Sequence, residues 1–233
     1  MAEVLNFEHN GITVNATESP EAMGGLGDNV IGLVGTAPNA HLSIPKNAPF
    51  RINSFTAQAL LDPTGAESGT LFHAAYQILK VVKVPVYVVI VEEGSTPADT
   101  LNNVIGGNEP VTDRKLGLAA LGSVPEDLTI IGAPGFTGTK AVAGEFAAFG
   151  KRIKARVVLD GKDASVADQV TYSGELGGAD LGFDRCLLVH NMPSVYSKAA
   201  KKNVFLAPSS LAIAALAKVK QWESPGNQVT FAE

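Results

Sequence analysis

Hydrophobic positions follow two patterns along most of the chain, short continuous apolar runs and longer segments with apolar residues at helical spacing. Residues 85–91 (PVYVVIV) form the strongest β-branched run, which predicts a strand buried on both faces. Residues 70–82 place apolar side chains on one helical face. Because apolar strands and helices alternate, we predict an α/β fold with a largely parallel sheet flanked by helices.

The clearest unit lies at 128–160. It contains a predicted strand at 128–131, a Gly/Pro loop at 132–138, a helix at about 140–149 and a second strand at 155–159. This order is typical of a βαβ unit, in which two parallel strands are joined by a right-handed crossover. Other predicted strands lie at 29–36, 50–52 and 185–190, and other predicted helices at 55–61, 96–104, 112–121, 165–170 and 208–220.

The first 27 residues have a different character from the rest. Residues 11–17 alternate apolar and polar side chains, which suits a half-exposed strand, and residues 18–27 are rich in Pro and Gly. An extended strand needs a partner sheet edge, either in its own domain or in a neighbouring subunit. A disordered tail is the alternative. We therefore divide the chain into an extended segment at 1–27 and an α/β body at 28–233.

Composition narrows the classes of function. The chain has 233 residues, 45% hydrophobic and 18% charged, which fits an ordered globular protein. Its net charge of -5 argues against a nucleic-acid partner. The single cysteine, Cys186, excludes an intramolecular disulfide and lies in an apolar run, so we predict a small core residue. No signal peptide and no apolar run of about 20 residues is visible, so we expect no direct membrane insertion.

The loop at 132–140 (GAPGFTGTK) is the best candidate for a ligand site. A phosphate-binding P-loop requires G-x-x-x-x-G-K-[ST]. Here Gly132 and Gly138 are one residue too far apart, Thr139 precedes Lys140, and Pro134 lacks a backbone N–H. We interpret the loop as a structural strand-to-helix turn. A nucleotide- or phosphate-binding α/β enzyme that uses this loop remains the alternative.

Other candidates for chemistry are weak. The histidines do not lie at metal-ligand spacing, and we predict surface or strand-end roles for His9, His41, His73 and His190. Three carboxylates follow a predicted strand, where α/β enzymes often place catalytic groups, but no basic partner is near in sequence. We predict a solvated loop for Asp160, Asp163 and Asp168. We accordingly expect no catalytic residue, no metal and no cofactor.

Two basic clusters remain to be explained. They consist of Lys151, Arg152, Lys154 and Arg156, and of Lys198, Lys201 and Lys202. Aromatic residues are not interleaved with them, as single-strand nucleic-acid binding usually requires. They are interpreted as solvated faces or as contacts to acidic patches on neighbouring subunits.

Several short motifs occur in an order typical of one protein family. They are residues 11–14 (GITV), 30–38 (VIGLVGTAP), 85–91, 103–106 (NVIG), 116–121 and 130–135 (IIGAPG). In these the chain resembles the tail sheath proteins of contractile-tailed bacteriophages, a family also found in R-type bacteriocins. The match covers roughly residues 11–135 and is loose after about 161. Residues 15–20 offer fewer of the family's polar and Pro positions, and family members are considerably longer.

The resemblance implies a structural, non-enzymatic role. It predicts a subunit that polymerises as stacked hexameric rings around the tail tube and contracts to drive the tube into the host envelope. Its partners would be other copies of itself, with tube and baseplate contacts made by a C-terminal part expected to be missing. The location implied is the virion, after assembly in the host cytoplasm. A sheath subunit of a non-phage contractile injection system is an alternative.

The resemblance also gives the first 27 residues a role as a linking arm. The strand expected to pair with another subunit's sheet consists of Gly11, Ile12, Thr13, Val14 and Asn15. The Gly/Pro segment after it would act as a hinge. A second β-like run at 229–231 is likewise expected to pair outside its own chain.

Overall fold

The computed structural model describes residues 29–162, 165–177, 181–197 and 199–220. Its largest sheet has six strands in the order β2-β3-β1-β6-β7-β8. These strands are β1 (Ile31–Thr36), β2 (Pro49–Ile52), β3 (Val86–Val91), β6 (Ile130–Gly132), β7 (Arg156–Asp160) and β8 (Cys186–Val189). The predicted arm strand at 11–15 and the run at 229–231 lie outside the described residues.

The remaining elements flank this sheet or follow its edges. Two short hairpins are formed by β4 (Gly107–Asn108) with β5 (Lys115–Leu116), and by β9 (Ser194–Ser197) with β10 (Lys202–Phe205). The helices are α1 (Phe55–Ala59), α2 (Leu71–Val81), α3 (Pro97–Ile105), α4 (Lys140–Ile153), α5 (Val166–Leu176) and α6 (Pro208–Lys218), with a 3₁₀ helix at Gly117–Ser123.

The large sheet is parallel except at one edge. β1 pairs in parallel with β3 along its whole length, from Ile31 opposite Val86 to Thr36 opposite Val91. β6, β7 and β8 continue the parallel arrangement on the other side of β1. Only β2 runs antiparallel, as the outer neighbour of β3. The α/β class and the largely parallel sheet are therefore confirmed.

The core consists of two layers, one on each face of the sheet. On one face Ile31 and Leu33 of β1 pack with residues of α2 and α6 such as Ile78 and Ile213. On the other face Val34 packs in a cluster with Phe146 of α4. Because side chains alternate along a strand, β1 supplies both layers. Every residue of β3 is buried, as the run at 85–91 predicted.

The βαβ unit formed by β6, α4 and β7 is confirmed. β6 and β7 are parallel neighbours, with Ile130 opposite Arg156. α4 continues to Ile153, four residues past the predicted end, and Lys154 ends it in the left-handed conformation with φ 60°. A left-handed C-terminal residue closes many helices, although glycine is more usual there.

Three sequence-based assignments are corrected. The helix predicted at 112–121 is wrong, because this stretch holds β5 and the start of the 3₁₀ helix. Gly117 has φ 52°, and a side chain there would collide with the carbonyl oxygen of Asn103, so an α-helix cannot pass through it. The helix predicted at 165–170 extends to Leu176. The β9–β10 hairpin was not predicted.

The helices of the described residues are short. The longest, α4, has 14 residues. In the described ranges none has the length and apolar character needed to cross a bilayer.

Candidate functional site

The loop between β6 and α4 is closed by a carboxylate of the same chain. The Gly135 N–H donates to Asp160 Oδ2 at 2.9 Å, and the Thr137 hydroxyl lies 3.2 Å from the same oxygen. The Asp160 N–H in turn donates to Thr137 Oγ1 at 2.6 Å. Asp160 therefore occupies the position of an anion at the loop.

The other oxygen of Asp160 binds the start of α6. Asp160 Oδ1 accepts the backbone N–H of Ser209 at 2.8 Å. A helix N-terminus favours a negative charge, so α6 and the loop share one carboxylate. Burial raises the pKa of Asp160, while hydrogen bonds from Ser209, Gly135 and Thr137 act in the opposite direction. This carboxylate is a structural link between β6, β7 and α6.

The solvated-loop prediction is therefore wrong for Asp160, which is only 4% exposed. The reason is that the start of α6 covers the carboxyl end of β7. Asp163 lies outside the described residues. Asp168 is exposed and caps α5, where a hydrogen bond from Ser165 lowers its pKa. These three carboxylates do not form a common site.

The same hydrogen bonds bear on phosphate binding. Gly135 uses its N–H on Asp160, and Pro134 has none to offer. The Thr137 carbonyl accepts the hydroxyl of buried Tyr172 at 2.8 Å, and burial raises the pKa of that phenol to about 12. The Gly135 N–H, the Thr137 hydroxyl and the Thr137 carbonyl thus bind within the chain, as expected for a structural strand-to-helix turn.

The histidines are scattered over the body. His73 is not a surface residue, since its side chain is 16% exposed and lies 3.8 Å from Glu67. Burial lowers the pKa of His73, and the Glu67 carboxylate opposes this shift. His41 is exposed and contacts Ser43, and His190 is half-buried just after β8. His9 lies outside the described residues, within which no group of three or more potential ligands could hold a metal.

Cys186 is less enclosed than predicted. It lies half-buried at the start of β8, the outer strand of the sheet. An edge strand has a neighbour on one side only, which explains the partial exposure. Burial and nearby Asp184 raise the pKa of the thiol to about 11, so it is a poor nucleophile.

A cavity of about 420 Å³ lies at the carboxyl edge of the sheet. It is close to the boundary between β1 and β6, where the strand order changes direction, because β3 lies on one side of β1 and β6 on the other. Open α/β sheets usually bind ligands at such a point. Most of its lining is apolar, including Val204, Phe205 and Leu206. Its titratable members, Glu67 and His73, face one another. No nucleophile and base are brought together here among the described residues.

The described lysines of the basic clusters and Arg152 are exposed, whereas Arg156 is half-buried at the start of β7. Lys151 and Arg152 lie in the last turn of α4, and the Arg152 guanidinium lies 4.8 Å from the centre of the Phe149 ring. Lys154 follows them. The second cluster, at the turn and start of β10, shows Lys201 and Lys202, whereas Lys198 is outside the described side chains. The two clusters lie on different elements.

Sequence reasoning missed an aromatic surface on the β9–β10 hairpin. Tyr196 and Phe205 are 64% and 72% exposed. Tyr196 lies opposite Asn203, and Phe205 opposite Ser194, so all four share one face of the hairpin. Val195 and Val204 occupy the other, less exposed face. The alternation in SVYS and KNVF was the signal that could have revealed this surface.

The first and last described parts of the chain meet. The Asn29 side-chain amide donates to the carbonyl oxygens of Ala217 at 3.2 Å and Val219 at 2.9 Å. Asn29 is buried, so both bonds are shielded from water. Residue 29, the first described residue, and residue 219 therefore lie side by side.

Comparison with known proteins identifies the fold. No protein-family model matches the chain, and no curated protein matches it. A solved structure with a similar fold is the cryo-EM structure of an extracellular contractile injection system, described as the PVC sheath complex in the contracted state. The match has a TM-score of 0.55 at 13% identity and covers 96% of this chain and 55% of the other.

The comparison thus defines a sheath-like α/β body. The chain spans about half the length of the sheath chain that it matches. The similarity extends over nearly all of this chain, and it is a similarity of fold.

Proposed function

We propose that this protein is a structural subunit of a contractile sheath and that it works by self-assembly. The observation that carries the proposal is the structural match to a sheath chain over 96% of this chain. The order of the short motifs between residues 11 and 135, which resembles tail sheath proteins, supports it independently.

The body has properties suited to a building block. Both faces of the large sheet are covered, whereas its outer strands, β2 and β8, each have a neighbour on one side only among the described residues. In the β6–α4 loop the Gly135 N–H and the Thr137 carbonyl are used within the chain. Exposed aromatic side chains occur instead on the β9–β10 hairpin, where Tyr196 and Phe205 could contact another subunit.

In the proposed assembly the subunits form stacked hexameric rings around a tube. The arm at 1–27 links them, and the strand at 11–15 adds to a sheet of a neighbouring copy through main-chain hydrogen bonds. Contacts to acidic patches on neighbours come from the basic clusters, Lys151, Arg152, Lys154, Lys198, Lys201 and Lys202. Contraction rearranges the rings while the arms hold them together.

We further propose that the sheath belongs to a phage tail, with tube and baseplate as additional partners. The sequence resemblance supports a phage tail, whereas the solved structure comes from an extracellular injection system. Electron microscopy of particles purified with this subunit distinguishes the two. A DNA-filled head on the sheath supports a phage, and headless particles support an injection system.

Removal of the arm tests the assembly proposal. A variant lacking residues 2–17 should keep the circular dichroism spectrum and unfolding midpoint of the whole chain, yet form no striated tubes in negative stain. A variant lacking only residues 2–8 retains the strand at 11–15 and is the matched control, which should form tubes. Tubes formed by both variants would refute the linking role of the arm.

A point substitution gives a stricter test. Thr13→Pro removes one backbone N–H from the centre of the predicted strand while preserving the chain length. It should reduce tube formation strongly, whereas Thr13→Val, which keeps the N–H and favours a strand, should not.

A further inference from the structure

A polar cavity of about 540 Å³ lies at the amino ends of the parallel strands, opposite the edge that holds the β6–α4 loop. Its lining residues are Asn29, Asp127, Leu128, Thr129, Ile153, Lys154, Arg156 and Arg185. Three of these carry positive charge and one carries negative charge. The cavity is therefore a basic site on the body.

Two of the positively charged residues that line the cavity, Lys154 and Arg185, have no acidic partner in the described parts of the chain. The Arg185 guanidinium donates to the Lys154 carbonyl oxygen at 3.1 Å, and its other N–H donors have no acceptor among the described residues. Neither Lys154 nor Arg185 has a carboxylate within 4.0 Å among the described residues. Lys154 also follows the C-terminus of α4, where a cation is favourable, but that role does not explain Arg185.

The negative charge of the protein is concentrated just before this cavity. Residues 1–28 contain no lysine or arginine and five acidic residues, Glu3, Glu8, Glu18, Glu21 and Asp28. The other 18 acidic residues of the chain balance its 18 lysines and arginines. The whole net charge of -5 is therefore carried by the segment that precedes Asn29.

We propose that the cavity binds the carboxylates of Glu18 and Glu21 of the same chain. Asn29 lines the cavity and is fixed by its bonds to Ala217 and Val219, so the preceding residues begin at the cavity rim. Glu21 and Glu18 lie eight and eleven positions before Asn29, and an extended chain covers roughly 3.3–3.6 Å per residue, so both carboxylates can reach. Such a short tether gives an effective concentration on the order of millimolar.

The inference goes beyond assembly, because it gives the end of the arm that adjoins the body a binding site on the same subunit. It also removes Lys154 from the set proposed to contact neighbours. When Glu18 and Glu21 are bound, the orientation of the strand at 11–15 relative to the body would be restricted. The ordering cost of linking two subunits is then reduced before they meet.

Carbodiimide cross-linking of the full chain tests whether Glu18 and Glu21 bind in the cavity. The reagent joins a lysine amine to a carboxylate that touches it, and mass spectrometry locates the link. In the monomer fraction at low salt we expect Lys154 to couple to Glu18 or Glu21 at least five-fold more than Lys202 does. Lys202 is exposed and lies opposite Ser197, which lines the cavity at the carboxyl edge of the sheet, so it serves as the reference.

Two variants and a change of salt concentration test whether the Lys154 cross-link depends on the charges of the cavity. Lys154→Arg keeps the charge but cannot couple, so it should remove the link without changing the fold. Arg185→Gln, or 0.5 M salt, should reduce the link several-fold, because exposed charges are screened at high ionic strength. Equal coupling of Lys154 and Lys202 would overturn the proposal.

A mixture of isotopically labelled and unlabelled protein identifies the chain that supplies the carboxylates. Links within one chain are expected, and links found only between labelled and unlabelled chains would overturn the proposal in favour of a second copy. The measurement is made on protein that has not formed tubes. Its failure is therefore distinct from failure of the sheath proposal.

Discussion

Asp160 Oδ2 accepts the backbone N–H of Gly135 at 2.9 Å. A carboxylate of the protein itself thus binds the loop that resembled a phosphate site. The carboxylate also accepts the Ser209 N–H, so it ties the β6–α4 loop to the start of α6. This loop therefore uses the Gly135 N–H for internal cohesion.

Replacement of Asp160 should show how much this carboxylate contributes. Asp160→Ala leaves the Gly135 and Ser209 N–H groups without their acceptor, and each unsatisfied buried group costs about 1–3 kcal/mol. We expect the free energy of unfolding, measured with urea, to fall by at least about 2 kcal/mol. Glu145→Ala, at an exposed position of α4, is the control and should change stability by less than about 0.5 kcal/mol. Equal effects of the two substitutions would contradict this role.

Two glycines should respond in opposite directions to alanine. Gly117 has φ 52° and faces the carbonyl oxygen of Asn103, so Gly117→Ala should destabilise the protein by at least about 2 kcal/mol, from left-handed strain of roughly 1–2 kcal/mol plus the collision. Gly144 lies inside α4 with open space around it, so Gly144→Ala should stabilise by about 0.5–1 kcal/mol. Thermal unfolding of both variants beside the unsubstituted protein tests the contrast. A neutral Gly117→Ala would show that the 3₁₀ segment adapts.

The burial of His73 predicts acid sensitivity. Burial lowers its pKa below the ordinary value of 6.5, so the folded state favours the neutral imidazole. As the pH falls through 6.5 towards the folded-state pKa, the unfolded chain takes up the proton first, and stability is lost. Above 6.5 the contribution is fully present.

Urea unfolding at pH 7.5 and at pH 5.5 measures this effect. The difference in stability between the two pH values should be smaller for His73→Gln, which carries no titrating group at that position. If the loss of stability between pH 7.5 and pH 5.5 is the same in the unsubstituted protein and in His73→Gln, His73 does not cause the acid sensitivity.

The aromatic face of the β9–β10 hairpin should matter for assembly more than for folding. Tyr196→Ser and Phe205→Ser remove side chains that are mostly exposed in the single chain, so the unfolding midpoint should stay nearly constant. Tube yield, measured by sedimentation, should fall if the face is buried between subunits. Val204→Ser, on the other face of the hairpin, is the contrasting variant and should lower stability. Normal tube yield in both aromatic variants would place the subunit contacts elsewhere.

Much of the fold could be predicted because its signals are local. The β-branched run at 85–91 and the strand–loop–helix–strand order at 128–160 each depend on residues close together in the sequence. The N-cap of α1 is equally local, since the Ser54 side chain accepts the N–H of Ala57, three residues later. Such features need no knowledge of distant contacts.

The errors arose where distant residues decide the structure. Asp160 looks solvated until α6, about 50 residues later, covers it. The stretch at 112–121 has helical spacing, but the contact of Gly117 with the end of α3 determines its conformation. The hydrogen bond from Arg185 to the Lys154 carbonyl joins the residue before β8 to the end of α4. No local pattern indicates such encounters.

The bonds from Asn29 to Ala217 and Val219 have a mechanical consequence. A pulling force applied to the segments that precede and follow the body enters and leaves it at neighbouring atoms. The load then passes through a few hydrogen bonds at one corner and bypasses the strands of the sheet. In the proposed sheath, where arms link each subunit to its neighbours, this arrangement would shield the sheet from the load while the rings rearrange.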